Sequence, residues 1–449
     1  MSTRLHTATK QSYSATTQLA VPTVKWWSLP RLLVDYARYG DDVVDKLFDR
    51  YGDIFRVDVP IGFEILDGVR SVVLFRDPNL VKPLFTASAE VVDPTLANHV
   101  LELLYGDRSL FLVDGPDHQR IRKLVLPRLR GNELQKWGDG LDSSVRTDVA
   151  TWAGAGPVHV QERMLDVTLE SILQITLGIT EEQMPIWKPP MHAMLRTAMS
   201  NEYIVRYATR RLGGLKTWTK LHAEIAACES LIYTEIARRR NAREVEQPDL
   251  LDLMMRLEGP PLSDRELRDQ LFTILLAGHE TTASTVTWAV DYLLQNPQQL
   301  AIATAEARTD SDDYSYIEAV LHETLRMHAP APVFGRVTRT TYQLGNYAIA
   351  PNSLVLPFIH GIHRDATLYP DPNVFRPERF VDTKPGTFTL IPFGGGTHRC
   401  VGDRLALFQA KLMLRTILRD VELTFHSNKK TTTNLLPTNN IQVLARRAS

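Results

Sequence analysis

The 449-residue chain predicts a mainly helical α+β fold, with a long central helix and a smaller β-rich region set to one side. Three observations lead there. Apolar residues recur at helical spacing through most of the stretch from about 130 to 330. Inside it, Ser263-Asp264-Arg265-Glu266 reads as a capping box, and nothing stops the helix it opens before Asn296-Pro297. Alternating apolar residues are confined to two short patches, near 55–75 and 342–358.

In chain order, residues 1–29 read as a polar extension rich in Ser and Thr, and 30–449 as one domain, because no linker, repeat or low-complexity run divides them. A helix is expected from about Pro30 to Tyr51. Phe55, Val57 and Val59, then Val69 to Phe75, alternate as strands around a turn at Leu66-Asp67-Gly68. A second strand patch spans Tyr342 to Phe358, with turns at Gly345-Asn346 and Pro351-Asn352. Near the end, Leu405, Leu407, Phe408, Leu412, Met413, Ile417 and Leu418 restore the helical period.

Composition narrows the function. A net charge of −1 gives no global signal for nucleic acid. Met1 to Lys25 holds no apolar run of signal-peptide or membrane-spanning length, so no transmembrane anchor is expected. Cys228 and Cys400, the only cysteines, argue against a disulfide framework and for the reducing cytoplasm.

Three strings carry chemistry. Cys400 stands in Phe393-Gly394-Gly395-Gly396-Thr397-His398-Arg399-Cys400-Val401-Gly402, at the mouth of the last helix. Free amides and the helix dipole favour a thiolate there. The glycines leave room for something broad and flat against the backbone, which suits one face of a haem iron. On these residues alone, a buried small hydrophobe or a phosphate cradle stays open, although the Gly-Lys-Ser/Thr ending of a phosphate loop is missing. Midway along the central helix, Ala277-Gly278-His279-Glu280-Thr281-Thr282 costs helix propensity. Its threonines either satisfy themselves on the preceding turn or border a groove, where Thr281 offers a hydroxyl and Glu280 a carboxylate for proton delivery. Glu323 and Arg326, three apart, read alone as a solvated pair.

Together these strings resemble the cytochrome P-450 family. The cysteine loop fills each fixed position of its F-G-x-G-x-H-x-C-x-G signature, and the central-helix string matches A-G-x-[D/E]-T-[T/S]. Glu323-Thr324-Leu325-Arg326 and Pro377-Glu378-Arg379-Phe380 match its E-x-x-R and P-E-R-F blocks, with Ala366 standing where many relatives have proline. The segment from Gly115 to Arg122 resembles its G-x-x-H-x-x-x-R helix, and Gly335-Arg336 its remaining propionate arginine.

The resemblance implies that family's fold over 30–449 and a haem b with Cys400 as axial ligand. The haem would be non-covalent, since no Cys-x-x-Cys-His occurs. It implies propionate contacts from His118, Arg122, Arg336 and His398, and haem contacts from Ala277, Gly278, Phe393 and Gly402. Glu280 and Thr281 are implied as the catalytic pair that delivers protons to bound oxygen. Glu323, Arg326 and Arg379 are implied as a buried structural triad.

The implied reaction is monooxygenation, hydroxylating or epoxidising a lipophilic small molecule such as a fatty acid, terpenoid or steroid. Two electrons would come from a ferredoxin or flavodoxin with its NAD(P)H reductase. A monomer is expected. Arg120, Arg122, Lys123, Arg128, Arg130, Arg399, Arg404, Lys411 and Arg415 would form a basic face that steers an acidic electron carrier. The implied pocket segments are Leu96–Leu104, Met191–Tyr207, Phe272–Thr281, Pro332–Phe334 and Leu435–Leu436, with His99 and Thr273 as polar handles. A peroxide-driven or isomerase-type haem-thiolate enzyme and a non-catalytic haem sensor are the alternatives, and the intact Glu280–Thr281 pair argues against both.

Overall fold

The computed structural model describes residues 19–28, 31–32, 35–36, 40–59, 66, 68–241, 248–256, 260–309, 314–331, 333–428 and 441–448. Asp67 of the expected first turn, and Pro332, Leu435 and Leu436 of the expected pocket, lie outside them, as does much of the stretch before Gly40.

The first strand patch forms as its alternation predicts. β1 (Thr23–Val24) runs parallel to β2 (Ile54–Asp58), which pairs antiparallel with β3 (Ser71–Phe75) in the register Ile54 to Phe75. Two short strands follow, β4 (Val92–Asp93) and β5 (Val158–His159). The second patch divides. After β6 (Arg336–Thr338), β7 (Tyr342–Leu344) and β8 (Tyr347–Ile349) make a hairpin whose turn uses Gly345 at φ 58°. β9 (Ser353–Pro357) leaves that hairpin and inserts between β3 and β6, giving the six-stranded order β1-β2-β3-β9-β6-β4. Ser353, Leu354, Val355 and Pro357 are all buried, as a central strand requires, so the last strand of the second patch joins the first patch in one sheet while β7 and β8 stay apart from it. β10 (Val421–Asn428) and β11 (Ile441–Arg447) join β5 in a separate small sheet that the polar, half-exposed sequence of β10 did not announce.

Helices make up the rest. α1 (Asp41–Tyr51) covers the second part of the expected Pro30–Tyr51 helix; Arg31, Leu32, Asp35 and Tyr36 are helical as well, and Gly40, at φ 60°, interrupts the run as the N-cap of α1. Around the site come α2 (Val81–Thr86), α3 (Glu102–Tyr105), α4 (Gly115–Val125), α5 (Asn132–Ala150), α6 (Val160–Leu177), α7 (Met184–Ala198), α8 (Asn201–Ala208) and α9 (Thr219–Arg240). The central helix, α10, runs from Asp264 to Gln295. Ser263 Oγ accepts the Glu266 amide at 3.2 Å and Glu266 returns a carboxylate to the Ser263 amide at 3.0 Å, so the predicted capping box is formed. α11 (Pro297–Ala307), α12 (Ser315–Met327) and α13 (Asp403–Asp420) follow it, and short helical turns stand at Leu250–Met255 and Ile359–Ile362.

α10 spans 32 residues, about 48 Å at 1.5 Å per residue, and links two hydrophobic cores. Its first half, from Leu267 to Leu276, belongs to one core with α6, α7 and α9. Its second half, from Ala283 to Leu293, belongs to another with α5, α12 and α13. The string Ala277–Thr282 therefore falls in the seam between the cores. That seam is where a helix otherwise buried from Leu267 to Leu293 regains accessible surface, at Ala277, Gly278, Glu280 and Thr281.

A candidate active site at the cysteine loop

The cysteine loop is shaped by close approach. Gly394 and Gly396 adopt φ 66° and 69°, the left-handed region that glycine enters without strain. A Cβ on Gly396 would lie 2.0 Å from the Phe85 carbonyl at the end of α2, and one on Gly395 would lie 2.9 Å from the Phe85 ring. The glycines are thus required by the turn and by contact with Phe85 and Phe334, rather than by a flat group alone. The Cys400 amide donates to the Phe393 carbonyl at 3.0 Å and closes the loop. Gly402 is the N-cap of α13, and a Cβ there would sit 4.0 Å from the Cys400 sulfur.

Cys400 keeps accessible surface while Cys228 has none. Yet desolvation by surrounding protein pushes the Cys400 thiol up to about 11, against a lowering hydrogen bond from the Gly402 amide. Surface and desolvation agree when that surface faces an interior hollow. Burial thus opposes the thiolate that the helix mouth favours, and a cation bound to the sulfur would offset that opposition.

Four nitrogen-bearing side chains close in around this loop. His118, on α4, is 3% exposed, and its ring stacks on that of His398 with centroids 3.9 Å apart. Desolvation first, then His398 and Arg122, lower His118 to about 4. One turn further along α4, Arg122 Nη1 donates to the Arg399 carbonyl at 2.6 Å. Arg336 opens β6, buried over the Phe85 ring at 4.9 Å, and its burial lowers it to about 10. Neither Arg122 nor Arg336 forms an ion pair among the described residues. Among the described residues, the one carboxylate in contact with the cluster is Asp114, whose Oδ1 lies 3.1 Å from His398 Nε2.

Opposite chemistry sits on α10. Thr281 Oγ donates to the Ala277 carbonyl at 2.8 Å, the back-bond that threonine makes in helices. Glu280 has no ion-pair partner among the described residues, and desolvation raises it to about 7. The nearby Tyr105, closing α3, is itself pushed upward by burial and then by Glu280. Gly278 keeps some accessible surface while its missing Cβ points at Ile172 Cδ1, 3.2 Å away, so it also serves the packing of α10 on α6.

Below the loop, Arg326 Nε and Nη2 donate to the two Glu323 oxygens at 2.7 and 2.8 Å, and Arg379 Nε adds 3.1 Å to the same carboxylate. Glu323 and Arg326 side chains are 0% exposed, so this is no surface pair. Arg326 also donates to the His363 carbonyl at 2.8 Å, and His363 Nε2 accepts the Ile391 amide at 2.9 Å, two residues before Phe393.

A family model for cytochrome P-450 enzymes matches residues 20–445. The chain belongs to the cytochrome P-450 family. The Mycobacterium tuberculosis protein named “Putative cytochrome P-450 137” is 33% identical over 396 residues, covering 87% of this chain and 81% of that one. “Putative cytochrome P-450 135B1” of Mycobacterium bovis is 33% identical over 388 residues, or 83% and 79% of the two chains. This P-450 is accordingly a haem-thiolate monooxygenase, an oxidoreductase whose cofactor is haem.

The residues present fit that cofactor. An accessible sulfur inside the protein and two guanidiniums without carboxylate partners among the described residues, Arg336 buried and Arg122 half-buried, are what a metal-centred dianion needs. Other expectations change. Arg120 pairs with Glu266 at 2.7 Å, Arg130 and Arg399 share Asp403, and Lys411 pairs with Glu318. Arg122, Lys123, Arg128, Arg404 and Arg415 are what remains of the basic face without a carboxylate partner among the described residues; of these, Arg122 belongs to the cluster at the cysteine loop and Arg415 lies over the Tyr314 ring. Thr273 Oγ is consumed by the Asp269 carbonyl and Ser109, so it is no polar handle. His99, exposed and 3.3 Å from Glu102, instead lines a surface cavity of about 500 Å³ with Leu96, Val100, Leu103 and Tyr207. Neither Cys400 nor Glu280 borders that cavity.

Proposed function

We propose that this P-450 inserts an oxygen atom into a lipophilic small molecule of fatty-acid, terpenoid or steroid type, hydroxylating or epoxidising it. Cys400 is the thiolate ligand of the iron, and His118, Arg122, Arg336 and His398 hold the propionates, with Ala277, Phe393 and Gly402 bordering the macrocycle. When bound, haem supplies the oxygen-activating redox chemistry, which a thiolate ligand promotes.

The chain's own part is positioning and protons. Glu280 keeps a proton to about pH 7 and so can give one up under neutral conditions. The Thr281 hydroxyl hydrogen is engaged by Ala277, which leaves its oxygen to accept on the accessible side of α10. The apolar seam excludes bulk water from both. The observation that carries this reading is the return of accessible surface at Glu280 and Thr281, between two dry cores, in a helix that packs on α13 behind Cys400.

Electrons come from a separate ferredoxin or flavodoxin and its NAD(P)H reductase. The working unit is one domain, 30–449, a cytoplasmic monomer, and among the described residues no helix is long and apolar enough to cross a membrane. The test is an optical titration of the ferric protein with fatty acids, terpenes and steroids, followed by turnover with a surrogate ferredoxin couple. A low- to high-spin shift of the Soret band, with oxygenated product only when the couple is present, supports the reading. Product formed as fast from peroxide alone sinks it.

A further inference from the structure

Asp114 is an anion in a site that needs to receive anions. It precedes α4, its Oδ1 is 3.1 Å from His398 Nε2, and its side chain is 29% exposed. Burial opposes its charge, but hydrogen bonds from the Gly115 amide and His398 hold its carboxyl below the ordinary range. We propose that Asp114 is a competing counter-ion in the haem site: its carboxylate occupies His398 and must yield to a propionate, so it limits how tightly this P-450 holds its haem. The inference rests on the assignment of His118, Arg122, Arg336 and His398 to the propionates.

Geometry and charge count support it. His118 covers one face of the His398 ring at 3.9 Å, so hydrogen bonding is left to the ring's edge. On that edge, Nε2 is taken by Asp114. Haem b carries two carboxylates, matching the guanidiniums of Arg122 and Arg336, neither of which is ion-paired among the described residues. Asp114 makes a third carboxylate around two permanent cations. Like charges brought together in a partly desolvated site repel, so the third weakens the hold on the other two. Among the described residues nothing anchors the Asp114 side chain beyond His398 and the adjacent Gly115 amide, and it reaches solvent. It is free to swing outward.

The experiment uses the holoenzyme as purified. Haem transfer to an excess of a haem-scavenging apoprotein is timed for wild type, Asp114→Asn and Asp114→Ala, at low and high salt. Asparagine keeps the shape and an acceptor for His398 while removing the charge; alanine removes both. The expected result is haem loss slowed by roughly three- to tenfold in both variants, with the gap narrowing as salt screens the repulsion. Equal rates overturn the inference, since Asp114 would then exert no pull. Faster loss also overturns it, because Asp114 would then be orienting His398 toward the propionate. A wild-type protein without a thiolate-type haem spectrum would instead remove the site assignment beneath it.

Discussion

Thr281 and Glu280 stand one residue apart and are held by different forces, a backbone hydrogen bond for the first and exclusion of water for the second. Thr281→Ala should keep haem and substrate binding but divert electrons to peroxide or water; product per NAD(P)H consumed measures this, and unchanged coupling would refute the role. Glu280 gives a sign that can be worked out. Its folded value is raised from 4.5 to about 7, so the folded state binds the proton more tightly than the unfolded one. Stability is therefore fullest below pH 4.5 and declines as pH rises to 7, by on the order of 2–3 kcal/mol from this group. Glu280→Gln should flatten that decline, read as urea midpoints at pH 5 and pH 8. Residues of this kind were legible because their motifs are local strings. Asp114 was not, since an aspartate before Gly-Pro reads as a turn, and its partner His398 lies 284 positions away. The pairing of Arg120 with Glu266, across 146 positions, escaped for the same reason and removed one charge from the expected basic face.

At the scale of elements, the glycines of the cysteine loop and of α10 predict opposite outcomes. Gly396→Ala combines a positive φ with a Cβ 2.0 Å from a backbone oxygen that cannot retreat alone. It should cost about 2–4 kcal/mol and lower the haem-to-protein ratio of the purified enzyme. Gly278→Ala meets only the flexible tip of Ile172 at 3.2 Å and gains helix propensity, so its thermal midpoint should match wild type to within about 1 kcal/mol of stability. A reversed order of the two would contradict the packing described. Sequence periodicity found α10 and its cap because both are local; it could not tell that β9 leaves its neighbouring hairpin for β3, a pairing between Ser71 and Ser353. Strand partners are set by burial on two faces, which alternation within one segment does not encode.

Across the whole molecule, two cores and one sheet are tied to the cysteine loop through Glu323. Its carboxylate takes Arg326, Arg379 and the Arg376 amide, and Arg326 connects through His363 to Ile391. Glu323→Gln strands two guanidiniums, one of them fully buried, and should cost about 3–5 kcal/mol, leaving little soluble haem-loaded protein. The triad was readable only by resemblance, because an i, i+3 pair says nothing by itself about burial. With four of the nine residues of the basic face paired internally, and Arg122 and Arg415 engaged by the Arg399 carbonyl and the Tyr314 ring, reduction by an acidic carrier should depend on salt through Lys123, Arg128 and Arg404, and charge reversal at these three should slow it at low salt only. All of this presupposes one bond, from Cys400 to iron. The most direct measurement is the spectrum of the reduced carbon monoxide complex for wild type, Cys228→Ser and Cys400→Ser. A red-shifted, thiolate-type Soret band in the first two that is absent from the third is the predicted result; the same band surviving in Cys400→Ser would contradict the account.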